Sequence, residues 1–394
     1  MRFALVAGPA AGHAFPTIAL GCRLRDAGHA VVVCNGTEWQ SGIEAEGLDF
    51  IDLPWLPPTD REDDFGWRMW GIPVRMAPLL ADLLRPWRPD ALVSDTLTTV
   101  GGFTAGLLGL PWATVIPHPL QDMSAYGPPP GCGLMPGVTP EEKRRDAYLR
   151  RKAGESLALS AQQRLDALAE VGLPADHYPT VRLVATLPAL EIARPDWPSD
   201  TVVVGPLEWD PATVELALPR GEQPLVFLSA STMSDVGSGL LQVALEALDG
   251  LGVRLASTQF ARYAGSLPSW ASVGPGRQDP AIHAASLVLS GAGHGIIAKA
   301  LTRGTPLVVV PGEGEQRDNA MRLQWLGVGE MVEAFELSPE TVRAAVTKVL
   351  GEPSYTQRAV EAAAVRTCDG GEVRDPVEVL VTYLPQTTQP RGQG

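Results

Sequence analysis

A chain of 394 residues exceeds one ordinary domain, and an apolar content of 45% is enough to fill two cores. With 19% charged residues and a formal net charge of −14 it is neither a disordered chain nor a general nucleic-acid binder, because no basic stripe could neutralise phosphates. Cys22, Cys34, Cys132 and Cys368 have no paired spacing, which speaks against a disulfide framework or a zinc site. That usage fits a reducing cytoplasm, and neither a signal-peptide pattern nor a membrane-length apolar run is present.

Residues 2–7 form a short apolar run closed by Gly8 and Pro9, the pattern of a buried parallel strand. The turn GPAAGHAFP leads to a helix predicted from Thr17 to about Gly28, with Pro16 at its first turn. A strand over 30–34, a helix over 39–46 and a strand over 50–53 repeat the alternation. Residues 55–72 are a loop rich in Pro, acids and Trp, followed by a helix over 74–84 and a strand over 91–93 that ends at Ser94 and Asp95. A small-residue helix over 100–108 and a strand over 112–116 complete the half, and residues 118–137 are a second loop containing PPPG. The long helix expected over 141–171 carries a basic, solvated cluster at 143–151. Its Leu157, Ala161, Leu165 and Leu168 recur at helical spacing, the pattern of a core-facing stripe.

Pro195, Pro198, Pro206 and Pro211 surround one short strand, a linker composition. The alternation then restarts with strands over 225–228 and 253–256, a helix over 240–248, and the stretch SLVLSGAGHGIIAKAL at 286–301. A strand over 306–310 and helices over 318–326, 340–350, 355–366 and 376–384 follow, and the polar tail is expected to be disordered. Two such halves predict an α/β protein of two doubly wound, Rossmann-like domains facing across a cleft.

The chemistry-bearing residues collect at strand ends. His13 follows the first strand, where it can serve as a general base or be satisfied by a backbone carbonyl. Asp95 ends a later strand of the same half, where it can orient an imidazole or cap a helix. In the second half the glycine turn at 291–295 can expose backbone N–H groups to a phosphate or be only a tight turn. His294 between Gly293 and Gly295 can donate to that phosphate or cap the turn, and Ser231 and Thr232 can do either as well. Glu315 and Gln316, read as a loop at a strand end, offer an acceptor and an amide suited to sugar hydroxyls or merely to solvent. The loops at 55–70 and 118–137, with Trp55, Trp67, Trp70, His118 and Met123, have the aromatic and proline surfaces of an apolar acceptor pocket.

GHAFP at 12–16, Asp95, VGPL at 204–207, the glycine turn and EQRDNA at 315–320, in that order and spacing, resemble the GT-B-fold nucleotide-sugar glycosyltransferases. The similarity is greatest to the bacterial enzymes that act on antibiotics, macrolides and polyketides, and it covers nearly the whole chain. It implies an acceptor-binding domain over 1–193, a linker over 194–212, a nucleotide-sugar domain over 213–375, a helix over 376–384 returning to the first domain, and the tail 385–394. It implies His13 as the base and Asp95 as its support. Thr232 falls on the phosphate-binding position, Arg277 and Gln278 on those at base and ribose, Glu315 and Gln316 on the donor-sugar pair, and Asn319 on a nearby polar site. The chain departs from the pattern where Gly291 replaces a histidine, Ile296 a threonine, Pro275 an aromatic residue and Ser231 a glycine.

The resemblance thus implies an inverting hexosyl transfer from a UDP- or TDP-sugar to a hydroxyl of a hydrophobic natural product, with neither cofactor nor metal, in the cytoplasm; it leaves a homodimer open. The alternatives are a C-glycosyltransferase or nucleotide-sugar epimerase of the same fold, and a non-catalytic relative that binds the nucleotide sugar or aglycone.

Overall fold

The computed structural model describes residues 1–54, 56, 64–229, 235–259 and 265–384. In the first half β1 (Arg2–Val6), α1 (Ala11–Asp26), β2 (Ala30–Asn35), α2 (Gln40–Ala45), β3 (Asp49–Asp52), α3 (Ile72–Leu84), β4 (Ala91–Asp95), α4 (Val100–Leu108) and β5 (Trp112–Ile116) alternate. The long α5 (Pro140–Glu170), then β6 (Val181–Val184) and β7 (Thr201–Val203), complete it. The second half runs β8 (Leu225–Ser229), α6 (Asp235–Leu248), β9 (Arg254–Thr258), β10 (Ala271–Gly274), α7 (Gln278–Ala284), β11 (Leu287–Ser290), α8 (His294–Thr302), β12 (Leu307–Val309), α9 (Glu315–Leu326) and β13 (Gly329–Met331). Helices α10 (Pro339–Gly351), α11 (Pro353–Ala364) and α12 (Pro376–Tyr383) close the described chain, apart from a small hairpin between the last two.

The strands make two sheets, of order β3-β2-β1-β4-β5-β6-β7 and β10-β9-β8-β11-β12-β13, and every pairing within them is parallel. The sequences of the central strands explain this. Phe3 to Val6, Leu225 to Leu228 and Leu287 to Ser290 are buried on both faces, which requires helices on both sides. The strand order reverses at β1/β4 in one sheet and at β8/β11 in the other, and an open sheet of this kind places ligands outside the carboxyl ends of such a pair. The two sheets form two Rossmann-like domains, the GT-B arrangement.

Helix α12 returns to the first domain, where Val379, Leu380 and Leu384 are wholly buried with Leu5 and Ile18. Burying three such side chains contributes on the order of 5 kcal/mol, enough to fix the end of the chain on the opposite half.

Three expectations need correction. Helix α1 starts at Ala11 rather than Thr17, so Pro16 lies inside it and His13 belongs to its first turn, where N–H groups need no intrahelical partner. The proline-rich stretch is not free linker: β7 extends the first sheet, and Val204, Leu207 and Trp209 join the first core, with Trp209 edge-on to Phe15 at 5.2 Å. The stripe on α5 is not a core face. Leu157 and Leu165 are exposed and only Leu168 is buried, because the inward side of the helix is polar: Ser160 accepts from Trp70 Nε1 at 3.0 Å and Gln163 Nε2 donates to Asp64.

Candidate active site

His13 and Asp95 sit at the carboxyl ends of neighbouring strands. β1 pairs with β4 in register, so the turn after Val6 and the last residue of β4 emerge side by side. The result is a hydrogen bond of 2.7 Å between His13 Nδ1 and Asp95 Oδ1. Asp95 is buried, and its other oxygen accepts from the Leu97 N–H at 3.0 Å and the Thr98 hydroxyl at 2.9 Å, so the carboxylate cannot swing away from the ring. A carboxylate acceptor places the imidazole proton on Nδ1 and leaves Nε2 as the basic nitrogen of the neutral ring. Nε2 has no hydrogen-bond partner among the described residues, and the side chain is 21% exposed. Burial disfavours the charged ring, but the hydrogen bond and charge of Asp95, with the charge of Glu315 adding to them, push the His13 pKa upward.

The second domain faces this pair through β11, the glycine turn and α9. Helix α8 has no side-chain cap at Gly293, and a Cβ built on Gly293 or Gly295 would meet nothing within 4 Å, so the helix N-terminus borders open space. Ala292 holds the turn in the left-handed region at φ 63°, and Asn319 Nδ2 donates to its carbonyl at 3.1 Å, which ties α9 to the turn. Glu315 and Gln316 are not loop residues but the first turn of α9; Gln316 Oε1 accepts from the Gly312 N–H at 2.8 Å. The Glu315 carboxylate acts electrostatically on His13 and on His118, both in the first domain.

His294 is not free to meet a phosphate as expected. Its ring is buried between the domains, with Nε2 2.9 Å from the Thr186 hydroxyl of the first domain. Burial, with the nearby His118 and Arg322, pushes its pKa down to about 3, so the ring is neutral. The sequence order could not show this, because the partner stands 108 residues away in the other half.

The remaining predicted residues are distributed as follows. The Arg277 N–H donates to the Val214 carbonyl at 2.8 Å, the Gln278 N–H to Asp210 Oδ2 at 2.6 Å, and Lys299 Nζ lies 3.4 Å from Gln278 Oε1. His118 is buried with its Nδ1 2.9 Å from the Pro119 carbonyl, and burial leads the causes that lower its pKa. The Met123 carbonyl accepts from Arg194. Trp67 stacks under Arg75 at 4.4 Å and Trp70 packs edge-on to Phe103, so these two rings serve the α3–α5 layer, a correction to their reading as pocket surfaces. Trp55, Ser231 and Thr232 lie outside the described residues.

Comparison with known proteins bears on these observations. Residues 277–370 match the model of the glycosyltransferase family 28 C-terminal domain. The 4'-demethylrebeccamycin synthase of Lentzea aerocolonigenes is 28% identical, the match covering 97% of this chain and 98% of that one. A glycotransferase of kitacinnamycin superposes with a TM-score of 0.74 at 21% identity, over 98% of this chain and 99% of its own. A glycosyltransferase of Streptomyces sp. SF2575 complexed with thymidine diphosphate gives 0.64 at 21% identity, over 97% of this chain and 99% of its own. The chain is a GT-B glycosyltransferase.

In this glycosyltransferase several residues that complete the cleft had no signal in the sequence. Asp318, one turn along α9 from Glu315, accepts from the Gly131 and Gly133 N–H groups at 2.6 and 2.7 Å, joining α9 to the 118–137 loop of the other domain. Thr98 fixes Asp95 and also accepts from the Gly8 N–H at 2.7 Å. Glu191 and Arg322 are buried at the same domain junction. An acid in a helix first turn and a basic residue one turn later look like solvent-facing charges until a second domain covers them. No helix among the described residues is long and apolar enough to cross a membrane.

Proposed function

We propose that the glycosyltransferase moves a hexose from a UDP- or TDP-sugar to a hydroxyl of a hydrophobic natural-product acceptor with inversion at the anomeric carbon. The observation that carries this reading is the His13–Asp95 pair, an imidazole with its Nδ1 held by a carboxylate and its Nε2 unpartnered among the described residues, facing Glu315 of the opposite domain. His13 Nε2 takes the acceptor proton as the hydroxyl oxygen bonds to the anomeric carbon, and the diphosphate leaves with the electron pair from the opposite face. Asp95 offsets the charge that grows on the ring.

The leaving diphosphate is stabilised by N–H groups of the uncapped α8 terminus at Gly293 and Gly295, where the helix dipole favours negative charge. Thr232 and Ser231 complete the phosphate contacts, Arg277 and Gln278 hold the nucleoside, and Glu315, Gln316 and Asn319 hold the sugar. The acceptor lies in the first domain beside His118, Met123 and the 118–137 loop. Thymidine diphosphate in the Streptomyces sp. SF2575 relative supports a diphosphonucleoside donor here, and the rebeccamycin-type relative supports an aglycone acceptor. Four free thiols go with a cytoplasmic site of action. Incubation with UDP- and TDP-hexoses and a panel of phenolic and macrocyclic acceptors tests the reading. NMR of the product should show the anomeric configuration opposite to that of the donor, and retention or release of an altered nucleotide sugar without acceptor would refute it.

A further inference from the structure

Arg322 stands two turns beyond Glu315 on the same face of α9. Seven residues bring a side chain back to within about 20° of the same bearing and roughly 10 Å further along the helix. Arg322 is 7% exposed, its Nε is enclosed without a partner, and its guanidinium makes no hydrogen bond or ion pair among the described residues. It lines a cavity of about 60 Å³ at the domain junction, several times the space one water needs, walled on the other side by Leu120, Pro129, Met135 and Ile192.

The acids around that cavity are engaged elsewhere. Asp318 holds the two glycine N–H groups of the 118–137 loop, and Asp122 is paired with Arg182 at 2.7 Å. Glu191 accepts from the Leu120 N–H at 2.9 Å, and its charge, like those of Asp318 and Glu315, acts on the guanidinium without a hydrogen bond to it. Arg194 is tied to the Asp122 and Met123 carbonyls and to Asp196. Arg322 is therefore the group in this cavity with donors left over. A buried cation with unfilled donors is unfavourable unless an anionic oxygen arrives to complete it.

We propose that Arg322 is a specificity-determining residue for the acceptor, receiving a carboxylate on an otherwise apolar molecule whose reacting hydroxyl lies at His13, on the Glu315 side of α9, about 10 Å along that helix from Arg322. This rests on the reading that His13 and the 118–137 loop bind the acceptor. The cavity has room for the acidic end of the molecule alone, whose two oxygens the planar guanidinium takes beside Leu120, Pro129, Met135 and Ile192.

The test is calorimetric binding of a hydroxybiphenyl carboxylate, with hydroxyl and carboxylate at opposite ends, and of its methyl ester. Wild-type protein, Arg322→Met and Arg322→Lys are compared, with thymidine diphosphate titrated separately. The wild type should bind the acid roughly tenfold more tightly than the ester. Arg322→Met should lose that preference while keeping ester affinity, nucleotide affinity and melting temperature, and Arg322→Lys should keep part of the preference. Equal affinity for acid and ester in the wild type, no binding of the acid, or a preference that survives in Arg322→Met would overturn the proposal. So would a parallel loss of ester binding and thermal stability, or a loss confined to the nucleotide, which would assign the guanidinium to the fold or to the donor. A wild-type preference for the acid without sugar transfer to it would sink the catalytic reading and leave this site standing.

Discussion

Asp95 Oδ1 lies 2.7 Å from His13 Nδ1, and the other oxygen of the same carboxylate is held by the Leu97 N–H and the Thr98 hydroxyl. The pair is thus fixed in tautomer and direction by two strands adjacent at the switch point of the first sheet. Asp95→Asn preserves the shape of the contact but can no longer both accept from Nδ1 and offset a positive ring. Its kcat should fall on the order of 10²- to 10⁴-fold with the donor KM little changed. Steady-state kinetics with a saturating donor check this, and a kcat within a few-fold of wild type would contradict it.

The rate should depend on pH through His13. The base must be neutral, and its pKa is raised above the ordinary 6.5 by Asp95 and Glu315 against the effect of burial. Turnover should therefore decline as pH falls through a value above 6.5. In Asp95→Asn or Glu315→Gln the same limb should move to lower pH. A kcat/KM profile for wild type and both variants is the measurement, and a limb that stays in place in both would count against the assignment.

The His294–Thr186 contact should act on stability rather than on donor binding. Thr186→Val leaves the imidazole without its partner, and His294→Phe leaves the hydroxyl without one, so each should cost about 1–3 kcal/mol. The double variant should cost less than the sum of the two, which denaturant melts can show. Thymidine diphosphate affinity should change by no more than about twofold, a few tenths of a kcal/mol. The ring also gives a pH dependence. It is depressed to about 3 when folded against 6.5 when free, so its contribution is complete above 6.5 and is lost as pH falls from there toward 3. In His294→Phe the slope of stability against pH in that window should flatten.

Asp318 is the domain-crossing contact of α9 with the 118–137 loop. Asp318→Ala removes the acceptor of two backbone N–H groups, each a charge-assisted bond worth about 1.5–3 kcal/mol. The variant should melt at lower temperature. Amide hydrogen exchange at Gly131 and Gly133 should quicken more than in the strands of either sheet, and unchanged protection at those two positions would refute the link.

The alternation of apolar runs, glycine turns and helix formers made both sheets and the order of their elements legible, because strands buried on both faces leave continuous apolar segments. His13 and Asp95 were legible for the same reason, as polar residues at the ends of such strands. Contacts between the halves were not. His294 looked like a phosphate donor until Thr186 supplied its partner, and Arg322 and Asp318 were undistinguished charges on a helix. The Leu157 to Leu168 stripe had the right period and the wrong outcome, because a period says which residues share a face and not whether anything covers it. The short strand between the prolines was legible, but not that it pairs with β6 as the edge of the first sheet, a position that tolerates neighbouring prolines.

A comparison of wild type with His13→Ala under single turnover, alongside the thymidine diphosphate dissociation constant of each, bears on the base itself. Loss of an acceptor-activating base should slow sugar transfer on the order of 10²- to 10⁴-fold while the nucleotide binds as before. Transfer at an undiminished rate, on a substrate that the wild type demonstrably glycosylates, would contradict the assignment of His13.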